Sequence, residues 1–341
     1  MAVPTFIRSP KILTILGSAN DVITLELYIW NDPSLIPATP NYTLVKNVPT
    51  TAIGQVSFNV SGYCREFIDF STYSEITSDT AVNVDEYCYC TIKQYRDGKI
   101  EGTTELICFD GFGYHSKGVN PYYSELYMDA GNYYIKDSGN TGGVTYYDNQ
   151  AFTWEAKYTG LISGGITTIT LANVVGRLPY RHPSYLGEGN KLEIIKNSVV
   201  QATYYFYEQA ECKYTTINCD FVNKQGVWQR IVFFKASSSN FSMTNTEYDL
   251  KPSNLDYNLG KNVRQTFNTN GTETITCNTG WVYEAYSDVI KQLLLSEEIR
   301  LDDIPVNINS KSTKLQKNIN DKNINYEVTF QYSAPTLQYN I

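Results

Sequence analysis

The sequence predicts a mainly β protein of the α+β kind, and three observations carry that expectation. Tyrosine is abundant, with Tyr 29 and Phe 14 against Met 3 and His 2, and a flat, wide ring packs well on a pleated, half-buried sheet. Short runs of period-two apolar alternation recur along the chain, which is the strand signal. One segment alone carries the three- and four-residue apolar spacing of a helix, and a lone helix set among sheets is the α+β pattern. At 341 residues the chain exceeds a usual domain of about 100–200 residues. It is read as a sandwich-like β domain over 1–150 followed by a β-rich domain over 151–341.

The N-terminal elements are read in order. Val22–Trp30 alternates with Ile23, Leu25, Leu27 and Ile29 on one face, and Asn31-Asp32-Pro33 turns the chain. Tyr42–Val45 and Gln55–Val60 follow as strands, and a short helix begins after Ser61 and carries Arg65 to Ile68. Tyr87–Gln94 and Glu105–Phe109 are joined through Arg96-Asp97-Gly98, an Asp-Gly hairpin signal.

In the second half, strands are expected at Phe152–Lys157, Thr167–Leu171, Leu192–Ile195 and Gln201–Tyr207. Cys212–Val222 and Val227–Phe234 flank a Gly-containing loop of hairpin length, Asn223–Gly226. Thr272–Cys277 leads into the helix near 282–296, whose stripe is Val282, Ala285, Tyr286, Val289, Ile290, Leu293 and Leu294. Trp281, just ahead of it, is expected to anchor the helix in the core. Strands return at Arg300-Leu301, Ile304–Ile308 and Tyr326–Tyr332.

Between these halves, the stretch 111–147 interleaves glycine and tyrosine and reads as long loops. Long loops without structure of their own are commonly functional, and tyrosine is enriched where proteins meet. Phe112, Tyr114, Tyr122, Tyr123, Tyr127, Tyr133 and Tyr134 are therefore the candidate contact residues.

Chemistry is sparse. The net charge of −8, with both signs mixed along the chain, opposes specific nucleic-acid recognition, which needs clustered Lys and Arg. His115 and His182 have no nucleophile elbow to serve and read as ordinary loop histidines. Glu297-Glu298 and Asp302-Asp303 read as solvated turns, and Asp110-Gly111-Phe112-Gly113 lacks the Lys-Ser/Thr of a phosphate loop and reads as a tight turn. Seven cysteines without a compact framework argue against a disulfide-stapled secreted domain. Cys88 and Cys90 share a strand face, but no second pair completes a metal set, so they read as small buried apolar residues. No catalytic, cofactor or metal residues are assigned, and the chain is read as no enzyme. No segment is long and apolar enough to cross a bilayer, and Met1–Phe6 lacks a signal-peptide core.

Several segments taken together resemble a known family. They include Ile7-Arg8-Ser9-Pro10, Lys46-Asn47-Val48-Pro49, Val56–Asp69, Phe221–Gln229 with Val232–Lys235, Asn278–Val282, Gln292–Glu297 and Asn318–Glu327. The ensemble resembles virion structural proteins of tailed phages, especially crAss-like phages. The resemblance implies a non-enzymatic neck or tail component, assembled in host cytoplasm into a cyclic ring or hub around the DNA-ejection channel. Its partners would be other virion proteins and further copies of itself, and its contact with DNA would be passive channel lining. A second class stays open beside it, a receptor- or glycan-binding adhesin of the tail tip or capsid surface, because exposed tyrosines stack on sugars as readily as on neighbouring subunits.

Overall fold

A computed structural model of the chain describes residues 2–31, 35–50, 53–70, 82–83, 86–112, 132–136, 142–147, 153–171, 175–209, 213–250, 263–310 and 324–334. The N-terminal unit is built on a five-stranded sheet in the order β1-β8-β7-β3-β4. Its strands are β1 (Val3–Phe6), β3 (Val22–Trp30), β4 (Tyr42–Asn47), β7 (Cys88–Arg96) and β8 (Lys99–Phe109). β1 lies parallel to β8, and the other pairs are antiparallel. A two-stranded sheet of β2 (Ile12–Ser18) and β5 (Ile53–Asn59) contributes to the same core. The period-two expectation holds residue by residue in β3, where Ile23, Leu25, Leu27 and Ile29 are all buried against Val56 and Phe58 of β5. Each such side chain contributes about 1.5–3 kcal/mol relative to exposure. The short helix α1 (Ser61–Arg65) closes this core with Cys64. The Asp-Gly signal also holds: Asp97 and Gly98 have φ of 46° and 78°, the two left-handed residues that a tight hairpin turn requires.

The second unit has three sheets. One has the order β12-β11-β14-β15-β9, from β9 (Asn132–Lys136), β11 (Trp154–Gly160), β12 (Ile166–Thr170), β14 (Asn190–Lys196) and β15 (Val199–Gln209). A small sheet joins β10 (Gly143–Tyr147), β13 (Val175–Pro179) and β6 (Val82–Asn83). The largest has seven strands in the order β17-β16-β20-β21-β22-β19-β18. These are β16 (Ile217–Val222), β17 (Trp228–Phe233), β18 (Ser238–Asp249), β19 (Arg264–Asn278), β20 (Ile299–Leu301), β21 (Ile304–Ile308) and β22 (Glu327–Tyr332). One core runs through this unit, from Tyr133 to Phe330.

Strand pairing crosses residue 150. β9 pairs with β15 and β10 with β13, so the strands at 132–147 belong to the second unit, and the first core ends at Cys108. The helix is also shorter than its apolar stripe. α2 spans Tyr286–Leu295, because Val282 is held in a β-bridge with Ile324 and cannot take helical backbone. Tyr286, Val289, Ile290 and Leu293 keep the predicted buried face. Trp281 does not anchor it: the ring is 62% exposed while its neighbour Val282 is buried at 2%.

The two units meet at a close joint. Phe6, Tyr87, Ile107 and Phe109 pack with Tyr147, Val175 and Val227. Gly226, at φ +80°, lies so near the Asp110 backbone that an added Cβ would stand 2.5 Å from it. A buried ion pair joins Arg177 of β13 to Glu86 ahead of β7. Asp110 receives Arg8 and Arg65, and both arginines also reach Glu297 beyond α2, at 3.0 and 2.5 Å.

Candidate functional site

Of the contact residues read from the sequence, Tyr114, Tyr122, Tyr123 and Tyr127 lie outside the described residues, as does His115. Phe112 is partly exposed at the joint, its N–H donating to the Lys224 carbonyl at 2.8 Å. Tyr133 is corrected: it is a core residue, 1% exposed. β9 runs beside β15, so alternation turns Tyr133 and Ile135 inward. The Tyr133 ring stacks near Phe206 and Tyr180, and its hydroxyl accepts from Gln229 Nε2 at 3.1 Å. Tyr134 faces the other way and is half-buried. It stacks on Tyr283 at 6.1 Å and meets Tyr207, which stacks on Tyr205. Burial first, then the neighbouring Tyr283, raises the Tyr134 hydroxyl well above an ordinary tyrosine, so it is a neutral donor. Of this tyrosine patch only Tyr134 is among the contact residues read from the sequence.

A larger exposed feature was read from the sequence only at its inner end, Thr272–Cys277. β18 and β19 form an antiparallel ribbon from Ser238↔Thr276 out to Asp249↔Arg264. Only Thr274–Asn278 of β19 also pairs inward with β22. The outer nine residues of β18, Phe241–Asp249, therefore extend about 30 Å beyond the sheet at the usual strand rise. Every residue of β18 is exposed. Phe241, Met243, Tyr248 and Phe267 are 43–60% exposed; the Phe241 ring lies over Gly271, and Tyr248 meets Phe267 edge-on at 5.5 Å. A lone two-stranded ribbon is marginal in water, and β18 carries neither the Lys nor the Pro that blunts an exposed edge. The signal was weak in the sequence because Ser-Ser-Asn-Phe-Ser-Met-Thr-Asn has no buried face to produce alternation.

On the outer face of the N-terminal sheet, register places Trp30 opposite Tyr89, and their rings stack at 5.6 Å. They line a groove of about 370 Å³ with Tyr28, Pro37, Lys93 and Glu105. Lys93 Nζ lies 4.2 Å above the Tyr28 ring, and Glu26 accepts from the hydroxyls of both Tyr28 and Tyr95 at 2.9 Å. The groove offers an aromatic floor with charged groups at its margin.

The polar residues singled out in the sequence serve the fold. His182 is buried, accepting the Ser184 N–H on Nδ1 at 3.2 Å between the rings of Tyr158 and Tyr185. Asp302 closes the β20–β21 turn and accepts the Asn218 N–H at 2.9 Å. Cys88 and Cys90 are buried as expected, but Cys64 and Cys108 join them. The sulfurs of Cys64, Cys88 and Cys108 lie within 4.8 Å of one another, a convergence that spacing along the chain does not reveal.

Among the described residues no helix is long and apolar enough to cross a membrane. No family model matches the chain, and no curated protein matches it. Among solved structures, the CupB2 chaperone of Pseudomonas aeruginosa is similar over 68% of this chain and 96% of that one, at 7% identity and a TM-score of 0.18. A likeness at that level carries no argument about function.

Proposed function

We propose that the chain is a non-enzymatic structural subunit of a tailed-phage virion, a neck or tail component that assembles into a cyclic ring or hub. The observation that supports this most is the projecting β18–β19 ribbon. It displays four large apolar side chains on strands that have no sheet to lie against. Such an arm gains stability when a neighbouring subunit covers it, by adding a strand to the open edge of β18 or by packing on its rings. The tyrosine patch around Tyr134 and Tyr283 offers a second contact. The net charge of −8 suits a subunit whose neighbour is moving DNA, which an acidic wall does not retain.

The test is the mass distribution of the full chain, alone and mixed with other virion proteins, with negative-stain imaging of the large species. Rings or hubs are expected for the wild type. Phe241→Glu with Phe267→Glu should keep the circular dichroism spectrum and weaken assembly by about 30-fold or more, the loss of an interface anchor worth about 2 kcal/mol. A wild type that stays monomeric in every mixture, or a charged ribbon that assembles unchanged, would sink the proposal.

The Trp30–Tyr89 groove favours a second role, a glycan-binding adhesin. Stacked rings suit the apolar face of a sugar, and Lys93 and Glu105 suit its hydroxyls. Glycan-array binding that Trp30→Ala abolishes would support it; no binding to host-surface glycans would exclude it.

A further inference from the structure

Four cysteines meet inside the N-terminal core, a feature independent of the assembly proposal. Cys64 hangs from α1, Cys88 and Cys90 lie on β7, and Cys108 lies on β8 directly opposite Cys88. All four are at most 1% exposed. The sulfurs of Cys64, Cys88 and Cys108 are mutually within 4.8 Å, and the Cys88 thiol donates to the Cys64 carbonyl oxygen at 3.4 Å. Cys90 projects from the same face of β7 as Cys88 and is likewise buried. The surroundings are apolar: Ile7, Ile29, Phe58, Val60 and Leu106.

A buried thiol behaves as a small apolar group and needs no thiol neighbour. Burial therefore accounts for each cysteine singly but not for their convergence from three elements. Among the described residues no other trio of His, Cys, Asp or Glu gathers this closely. Cys219 and Cys277, buried in the second core, belong to no such trio. A disulfide between the facing Cys88 and Cys108 would use two sulfurs and leave Cys64 and Cys90 beside it without a role.

We infer that Cys64, Cys88 and Cys108 form a structural site for a thiophilic divalent metal ion, Zn²⁺, with Cys90 as the fourth donor. A tetrahedral zinc–thiolate centre with Zn–S near 2.3 Å sets its sulfurs about 3.8 Å apart. Sulfurs already within 4.8 Å need to close by about 1 Å or less to reach it. Each ligating thiol gives up its proton to solvent as the metal–sulfur bond forms, so affinity falls as pH falls. The site is sealed from solvent, so the ion enters as the chain folds.

The experiment measures metal in the full chain purified from zinc-supplemented cells. The chain is then refolded from denaturant with Zn²⁺, with Co²⁺ or with chelator. Expected are equimolar zinc, a sulfur-to-cobalt charge-transfer absorption after refolding with Co²⁺, and a Tm that rises with each tenfold step in free zinc. Cys88→Ser with Cys108→Ser should lose the metal and Cys219→Ser should retain it. If the double variant does not fold, the cobalt spectrum of the wild type decides. Background metal content with no charge-transfer band overturns the inference and leaves simple buried thiols. A metal-free chain lighter by two hydrogens overturns it in favour of a Cys88–Cys108 disulfide.

Discussion

Asp220 and Arg230 stand directly opposite each other on β16 and β17, and removing the carboxylate tests how the second core is held. Arg230 donates from Nε and Nη2 to the two carboxylate oxygens at 2.7 Å each, and both side chains are at most 2% exposed. The Tyr180 hydroxyl bridges the Arg230 backbone, accepting its N–H at 3.0 Å and donating to its carbonyl at 3.1 Å. Asp220→Ala leaves a buried guanidinium without its countercharge, which costs about 3–5 kcal/mol. With an unfolding entropy of about 2.1 cal/mol/K per residue over 341 residues, that corresponds to a Tm about 4–7 °C lower. The double variant Asp220→Leu, Arg230→Met replaces the pair with apolar groups of similar bulk and should recover most of the loss, because both desolvation penalties vanish together. Thermal unfolding of the wild type, Asp220→Leu, Arg230→Met and the double variant closes the cycle, with Asp220→Ala measured beside it. The reasoning is refuted if Asp220→Ala lowers Tm by less than about 1 °C, or if the double variant is as unstable as the single ones.

The remaining predictions concern the joint between the two units and its pH response. Gly226→Ala places a Cβ against the Asp110 backbone at a φ of +80°, adding steric conflict to a left-handed penalty of about 1–2 kcal/mol. Limited proteolysis should then cut the chain between the units faster than in the wild type. Glu297 is partly desolvated, which opposes its charge, yet the hydrogen bond from Arg65 and the charge of Arg8 outweigh that and hold its pKa below the ordinary 4.5. A carboxylate depressed in the folded state adds stability that is complete above about pH 4.5 and lost as pH falls through the lower folded value. Acid titration of the denaturant midpoint should therefore show a smaller drop below that pH in Glu297→Gln than in the wild type.

How much was legible before the structure differs by element. Ile23, Leu25, Leu27 and Ile29 declared their strand and its buried face because one side of β3 meets a core and the other does not. The Asp97-Gly98 turn and the stripe Tyr286, Val289, Ile290 and Leu293 were legible for the same local reasons. The ribbon was not, since a strand exposed on both faces has no apolar period to read. Tyr133 and Tyr134 were indistinguishable as composition, and only the pairing of β9 with β15 sorts one inward and the other outward. Trp281 was misplaced because a large ring suggests burial, whereas the bridge at Val282 commits the neighbouring side chain to the interior.

Sequence by itself determined the β-rich class, most strand positions and the lone amphipathic helix, because each depends on periodicity over fewer than about fifteen residues. Tertiary structure alone decided the joint near Asp110 and the meeting of the cysteines. The β7–β8 register shows why. At the Asp97-Gly98 turn Arg96 pairs with Lys99 and Tyr95 with Ile100, but a bulge then pairs Gln94 with Gly102. That one-residue shift sets Cys108 rather than Ile107 opposite Cys88. Since side chains alternate faces along a strand, a single-residue slip reverses which of them share a side, so the bulge brings the two thiols together beneath Cys64.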